Sequence, residues 1–181
     1  MTWEAFHRRG EVLRQVLAHA EAHRDGVLPV ELPGVAETFE DDLALLGTLQ
    51  LRWHTHLAGA IEHELMDQPL DLESAVMRAW RTTVADLPGV REILDAYTEA
   101  PVSQEMARVL DTAHRKDWTL MAAMAGKASP SDRGAARVGR EIEQRARQAY
   151  RPTASTTPTT HRADPPARSS ILTRVKAHLA A

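Results

Sequence analysis

The chain contains no cysteine, and only 4% of its residues are aromatic. Without thiols it forms no disulfide, iron–sulfur cluster, thiolate zinc site or cysteine nucleophile. Few aromatic residues also mean that alanine, leucine and valine must fill most of any core. No run approaches the roughly eighteen apolar residues of a membrane span, and the start, MTWEAFHRRGEVL, lacks the apolar stretch of a signal peptide. We therefore expect a cytoplasmic protein.

The composition is otherwise that of an ordinary folded domain. Of the 181 residues, 43% are hydrophobic and 26% are charged, which is typical of globular proteins. Arginine outnumbers lysine 19 to 3, a usage that indicates a GC-rich bacterial genome. Arguments from abundant arginine or alanine are weakened accordingly.

Charge is distributed unevenly along the sequence. Residues 1–100 carry 18 acidic and 8 basic side chains, whereas residues 101–151 carry 6 and 10. An acidic face and a basic face that bind different partners would give this pattern. Complementary charges within one domain are the simpler explanation, and we expect the acidic and basic halves to face each other.

Apolar residues recur at steps of three and four in several separate stretches, which predicts amphipathic helices. We predict an all-α fold, a bundle of five to six helices within residues 1–150. The first helix runs from about Thr2 to Arg24, and its apolar stripe is Trp3, Phe6, Gly10, Leu13, Leu17 and Ala20. Two helices, 36–66 and 103–125, are predicted to lie at the centre, with Gly59 at a close crossing. Further helices are predicted to begin at Asp71, Val90 and Pro130.

Ten large side chains at the apolar positions of these helices form the predicted core. They are Trp3, Phe6, Leu13, Leu49, Trp53, Ile61, Trp80, Ile93, Leu110 and Met121.

Beyond residue 150 the composition changes. Residues 152–170 hold four prolines and five threonines and almost no apolar residues, so we predict a disordered Pro/Thr/Ser-rich linker over 151–170. Residues 171–181 return to helical spacing and are predicted to form a short amphipathic tail helix. Its predicted partner-binding residues are the apolar Ile171, Leu172, Val175 and Leu179 and the basic Arg174 and Lys176.

The nine histidines raise the question of a metal site. A ferritin-like centre needs two Glu-x-x-His pairs, and the chain offers one, at Glu4 and His7. His56 and His63 are seven apart and so share a helix face, and Glu62 and Glu64 lie beside them. The candidate metal ligands are therefore His56, His63, Glu62 and Glu64, for iron, manganese or zinc, with hydrogen-bonded core histidines as the simpler interpretation.

No motif of nucleophilic catalysis or phosphate binding is matched, and we assign no catalytic residue. The last helix has many arginines, which suggests nucleic acid binding, but a solvated face partly neutralised by Glu141 and Glu143 explains them as well. These arginines are Arg133, Arg137, Arg140, Arg145, Arg147 and Arg151. The net charge of −3 argues against nucleic acid as a partner.

The expected function is that of a non-enzymatic adaptor or regulatory protein that binds another macromolecule through its tail. An eleven-residue helix is unstable alone in water, so its apolar stripe needs a protein surface. The alternatives are a metal-binding bundle, ferritin-like or hemerythrin-like, and a nucleic-acid-associated regulator. The oligomeric state is left open, and a homo-oligomer is compatible with the sequence.

Overall fold

The computed structural model describes residues 3–150, with side chains from His7 onward. This part of the chain is helical and contains no strand, which confirms the predicted all-α fold. Its helices are α1 (Trp3–His23), α2 (Val35–Thr38), α3 (Asp42–Met66), α4 (Leu72–Asp86), α5 (Pro88–Glu99), α6 (Gln104–Met124) and α7 (Ala135–Ala149). Among these described helices, none is both long and apolar enough to cross a membrane.

The predicted helix 36–66 is divided, which gives the described residues one helix more than the upper number expected. The short α2 ends at Thr38 and is followed by Phe39, whose backbone is extended (φ −115°, ψ 130°). Asp41 then starts α3, and its carboxylate accepts a hydrogen bond from the amide of Ala44 at 2.7 Å. Phe39 is buried at 3% exposure, beneath the guanidinium of Arg9. At this break the chain changes direction, and the ring of Phe39 packs in the core.

Helix α3 runs through the centre of the bundle and packs against α4, α5 and α6. Seven of the ten predicted core residues are buried: Leu49, Trp53, Ile61, Trp80, Ile93, Leu110 and Met121. Leu13 is only partly buried. The side chains of Trp3 and Phe6 are not among those described.

The predicted stripe of α1 is wrong by one position over its middle turns. Val12, Val16 and Ala20 are buried, whereas Leu13 and Leu17 lie at the edge of the core. Both sets have helical spacing. The larger leucines gave the better sequence pattern, but the packing of α1 against α2 and α5 buries the smaller residues instead.

Two glycines mark close helix crossings, and Gly59 is not one of them. A Cβ on Gly89 of α5 would collide with the carbonyl of Ala20, and a Cβ on Gly139 of α7 would collide with that of Trp118. Gly59 has open space where a Cβ would lie.

The sequence LPGV occurs twice, at residues 32–35 and 87–90, but its glycine has a different conformation each time. Gly34 adopts a left-handed conformation (φ 84°), whereas Gly89 is helical.

Helix α7 begins at Ala135, five residues after the predicted start, because residues 129–134 form turns in which the Asp132 carboxylate accepts from the amide of Ser129. The helix packs along α6 and α4. Its arginines bind acidic residues of the first hundred: Arg145 pairs with Glu73 and Arg147 with Asp95. The two charge halves of the sequence therefore meet across the bundle.

The predicted linker, 151–170, and the predicted tail helix, 171–181, lie outside the described residues. The domain boundary at 150 stays a prediction.

Candidate functional site: the α3–α6 groove

Helices α3 and α6 leave a groove of about 510 Å³ between them, which we call the α3–α6 groove. This volume falls within the range of ligand sites in proteins. From Leu43 to His54 the α3 wall extends about 16 Å at 1.5 Å per residue. The wall residues of α3 include Leu43, Leu46, Gln50, Leu51 and His54, and those of α6 include Arg108, Val109, Leu110, Ala113, Lys116 and Asp117.

The floor and rims of the groove are largely apolar. Leu46 and Leu110 are buried at its base. Leu51 on α3 and Val109 on α6 are 63% and 41% exposed. Large apolar side chains exposed on both walls of one groove differ from single surface leucines, because together they offer a continuous surface to a partner.

One end of the groove is polar and centres on Asp117, a residue only 3% exposed. Its Oδ2 accepts a hydrogen bond from Nε2 of Gln50 at 2.8 Å, and its Oδ1 lies 2.5 Å from Nδ1 of His54. The His54 side chain is 40% exposed. The buried carboxylate therefore holds the imidazole at the mouth of the groove.

Burial raises the pKa of Asp117 above its usual value of 3.8. Hydrogen bonds from His54 and Gln50 and the positive charge of Arg91 act in the opposite direction but do not outweigh the loss of water. A buried carboxylate whose loss of water is only partly offset by hydrogen bonds and positive charge lowers the stability of the folded state. Such a cost at the edge of a groove favours a functional role for Asp117.

The α6 side of the groove carries two cations, Arg108 and Lys116. They lie eight residues apart and so share one face of the helix. Within residues 7–150 neither forms an ion pair, whereas neighbouring Arg115 pairs with Asp111. This rim therefore presents positive charge to an occupant.

A second buried polar cluster lies where α5, α6 and α7 meet. His114 is 5% exposed, stacks on Trp118, and its Nε2 has no hydrogen-bond partner in the described structure. Trp118 donates from Nε1 to Glu143 at 2.5 Å. Arg91 lies over the ring of Trp53 at 4.7 Å. This cluster connects α5, α6 and α7 with Trp53 of α3 and lines no part of the α3–α6 groove.

The predicted metal ligands are not brought together. His56 bonds to Asp86 through Nε2 at 2.9 Å, and Glu64 accepts from Nε of Arg78 at 2.8 Å. Glu62 and His63 are exposed, so the interpretation of His63 as a core histidine is wrong. Among the described side chains, no three His, Asp or Glu residues are grouped as a metal site requires.

Most arginines of α7 contact acidic or aromatic side chains of the described residues. Arg137 pairs with Glu141, Arg145 with Glu73, and Arg147 with Asp95 and Glu143. Arg140 lies over the Trp118 ring, 5.5 Å from its centroid. These contacts leave few guanidinium groups of this helix for nucleic acid phosphates.

The sequence interpretation missed Gln50, His54 and Asp117. A signal for Asp117 is present, because Leu110, His114, Asp117 and Met121 follow helical spacing on the buried side of α6. A charged residue at a core position of such a series calls for a partner. The six predicted partner-binding residues of the tail lie outside the described residues.

No protein-family model matches the chain, and no curated protein or solved structure matches it either.

Proposed function

We propose that the chain is a non-enzymatic helical adaptor whose α3–α6 groove binds an amphipathic helix of another protein. The observation that carries this proposal is the groove itself, which has a buried apolar floor and exposed apolar rims on both walls. On its α6 side it also carries Arg108 and Lys116, which form no ion pair with any residue of the described part of the chain. Helix-in-groove recognition uses apolar residues at positions i, i+3, i+4 and i+7 of the bound helix. A wall of about 16 Å accommodates three helical turns.

Charge selects among the possible occupants. Arg108 and Lys116 on the rim favour a helix with acidic residues beside its apolar stripe. The chain's own tail has the opposite character, since the charged residues predicted beside its apolar stripe, Arg174 and Lys176, are basic. We therefore assign the groove to a separate, acidic partner and not to residues 171–181.

Selection from a displayed library of random helical peptides on the immobilised full chain tests this proposal. We expect the selected peptides to share an apolar i, i+3, i+4, i+7 pattern and a net negative charge. Replacing Val109 by glutamate puts a carboxylate into the apolar rim and should weaken their binding at least tenfold.

Val102→Glu is the matched control, because Val102 is 71% exposed and lies outside the groove. It should bind the selected peptides as the wild type does. Peptides that bind Val109→Glu as tightly as the wild type would overturn the proposal. So would displacement of the selected peptides by a synthetic 171–181 peptide, or self-association that Val109→Glu abolishes, since the groove would then serve the tail or a second copy.

The tail is the second contact element of the proposed adaptor. The spacing of Ile171, Leu172, Val175 and Leu179 supports docking on a protein surface, and burial of each apolar side chain contributes roughly 1.5–3 kcal/mol before ordering costs. Deleting residues 152–181 keeps Tyr150, whose ring packs edge-on against Trp80 with centroids 6.5 Å apart. The melting temperature should therefore stay unchanged while capture of the tail's partner is lost. A much lower melting temperature would identify the tail as a brace of the bundle.

A further inference from the structure

We infer that His54 recognises a neutral hydrogen-bond donor on the docked helix, a hydroxyl or primary amide such as that of Ser, Thr, Asn or Gln. This inference rests on the proposed function. It concerns the polar end of the α3–α6 groove, where Gln50, His54 and Asp117 meet.

The hydrogen bonds of Asp117 determine which nitrogen of His54 carries the proton. A carboxylate only accepts, so the Nδ1 atom that lies 2.5 Å from Oδ1 must be the one that donates. In the neutral imidazole the other nitrogen, Nε2, then has no hydrogen and is an acceptor. Catalytic and metal-binding histidines are oriented in the same way: the hydrogen-bond partner of one ring nitrogen determines whether the other nitrogen donates or accepts.

The direction of the ring places this acceptor at the groove. Nδ1 points inward to Asp117, whose side chain is 5% exposed, whereas the His54 side chain is 40% exposed and lines the groove. The two ring nitrogens point in different directions, so with Nδ1 on Asp117 the Nε2 atom of this groove-lining residue is left to face the opening. An acceptor held in this direction by a buried partner is prepared for a donor from the ligand.

Gln50 adds a second acceptor nearby. Its amide orientation follows from the bond that Nε2 donates to Asp117, and its Oε1 has no hydrogen-bond partner among the described residues. Gln50 is 6% exposed, and a buried acceptor without a partner is rare in folded proteins.

The positive charge of Lys116 favours a neutral donor over a cationic one. Its side chain belongs to the same end of the groove wall and forms no ion pair within residues 7–150. A lysine or arginine of the partner would meet this like charge. A hydroxyl or carboxamide avoids the repulsion and still donates to Nε2.

The spacing along α3 gives the position of the donor. Leu46 at the apolar floor and His54 are eight residues apart, about 12 Å along the helix axis. A partner helix lying along the groove would carry its donor about two turns from its main apolar anchor.

Two measurements test the inference on the full chain. Nitrogen-15 NMR of the imidazole should show the Nδ1–H form of His54 in the wild type and its loss in Asp117→Asn. The peptides selected on the groove should carry Ser, Thr, Asn or Gln about two turns from the anchor, and replacing that residue by alanine should weaken binding about tenfold. In His54→Phe the preference for the donor peptide over the alanine peptide should fall severalfold, with Gln50 Oε1 as the acceptor that remains.

His56→Phe is the matched control, because His56 lies two residues along the same helix, bonds to Asp86 and does not line the groove. It should keep the preference for the donor peptide. An Nε2–H form of His54, or equal binding of donor and alanine peptides to the wild type, overturns the inference. Peptides that still need the apolar rim under those outcomes would leave the proposed function intact, whereas a library that yields no groove-dependent peptide would remove both.

Discussion

Arg147 of α7 and Asp95 of α5 form a two-pronged ion pair. The two terminal nitrogens of the guanidinium donate to the two carboxylate oxygens at 2.8 and 2.9 Å. Arg147 also binds Glu143 one turn earlier in α7 and lies over the ring of Trp80 at 5.2 Å. One side chain thus ties the last described helix to both α4 and α5.

Replacing Arg147 by glutamine should lower the free energy of unfolding by about 1 kcal/mol, a modest value because both partners are more than a third exposed. Although burial acts to raise the pKa of Asp95, its hydrogen bonds from Arg147 and the charge of Arg91 hold it below 3.8. The contribution is therefore complete above about pH 4 and is lost as the pH falls through the folded-state pKa. Urea unfolding at pH 7 and pH 3 measures the difference.

Arg137→Gln is the control for this prediction. Its side chain is 73% exposed and forms a single pair with Glu141 within the same helix. The unfolding free energy should change by less than about 0.5 kcal/mol. Equal losses in the two variants would contradict the special role of Arg147.

His114 should make the stability depend on pH. Burial, followed by the positive charge of Arg91, lowers the pKa of His114 below 6.5. The unfolded chain then binds a proton that the folded chain resists, so stability declines as the pH falls from about 6.5 toward the folded-state pKa. His114→Gln should flatten the profile of melting temperature between pH 7 and pH 5. The exposed His63, changed to glutamine, should leave the slope as it is, and a similar flattening there would contradict the assignment.

Two glycine substitutions should act in opposite directions. Gly139→Ala places a Cβ against the backbone of Trp118 and forces α7 away from α6. The free energy of unfolding should fall by at least roughly 1–3 kcal/mol. Gly59→Ala has open space and should stabilise α3 by up to about 1 kcal/mol through helix propensity. Thermal unfolding of both variants measures this contrast. A stabilising Gly139→Ala would show that the α6–α7 contact is looser than described.

Trp53 should be the most costly core side chain to remove. It is 1% exposed, contacts Trp80 edge-on with centroids 6.3 Å apart and lies beneath Arg91. Trp53→Ala should lower the unfolding free energy by roughly 3–5 kcal/mol. Leu70→Ala, at a fully exposed position, should have an effect within error. A loss below 1 kcal/mol for Trp53 would indicate that the site collapses around the missing ring.

The sequence predicted the helices better than their register and junctions. Spacing and caps located α4 and α6, whose first turns are capped by Asp71 and Ser103. The break at Phe39 was missed, because no proline or glycine marks it and only burial of the ring explains it. On α1 two stripes fit the same period, and the choice between them depends on α5, which no local pattern contains.

The candidate site was harder to predict than the fold. His54 lies two residues from His56 and so on a different side of α3, away from the predicted metal ligands. Its actual partner, Asp117, is 63 residues away. Such a pair depends on how α3 and α6 lie together, and neither helix contains that information alone.

The position of α7 in the chain affects the order in which the bundle is completed. Ile142, Ala146 and Arg147 are among the last residues of the described bundle to be synthesised, yet they cover α4 and α6. Before they are made, Trp118 and Glu73 have no α7 partner, and apolar surface on both older helices is open to water. A ribosome that stalls before about residue 140 would therefore present an incomplete, aggregation-prone core, and we expect the nascent chain to need chaperones until α7 emerges.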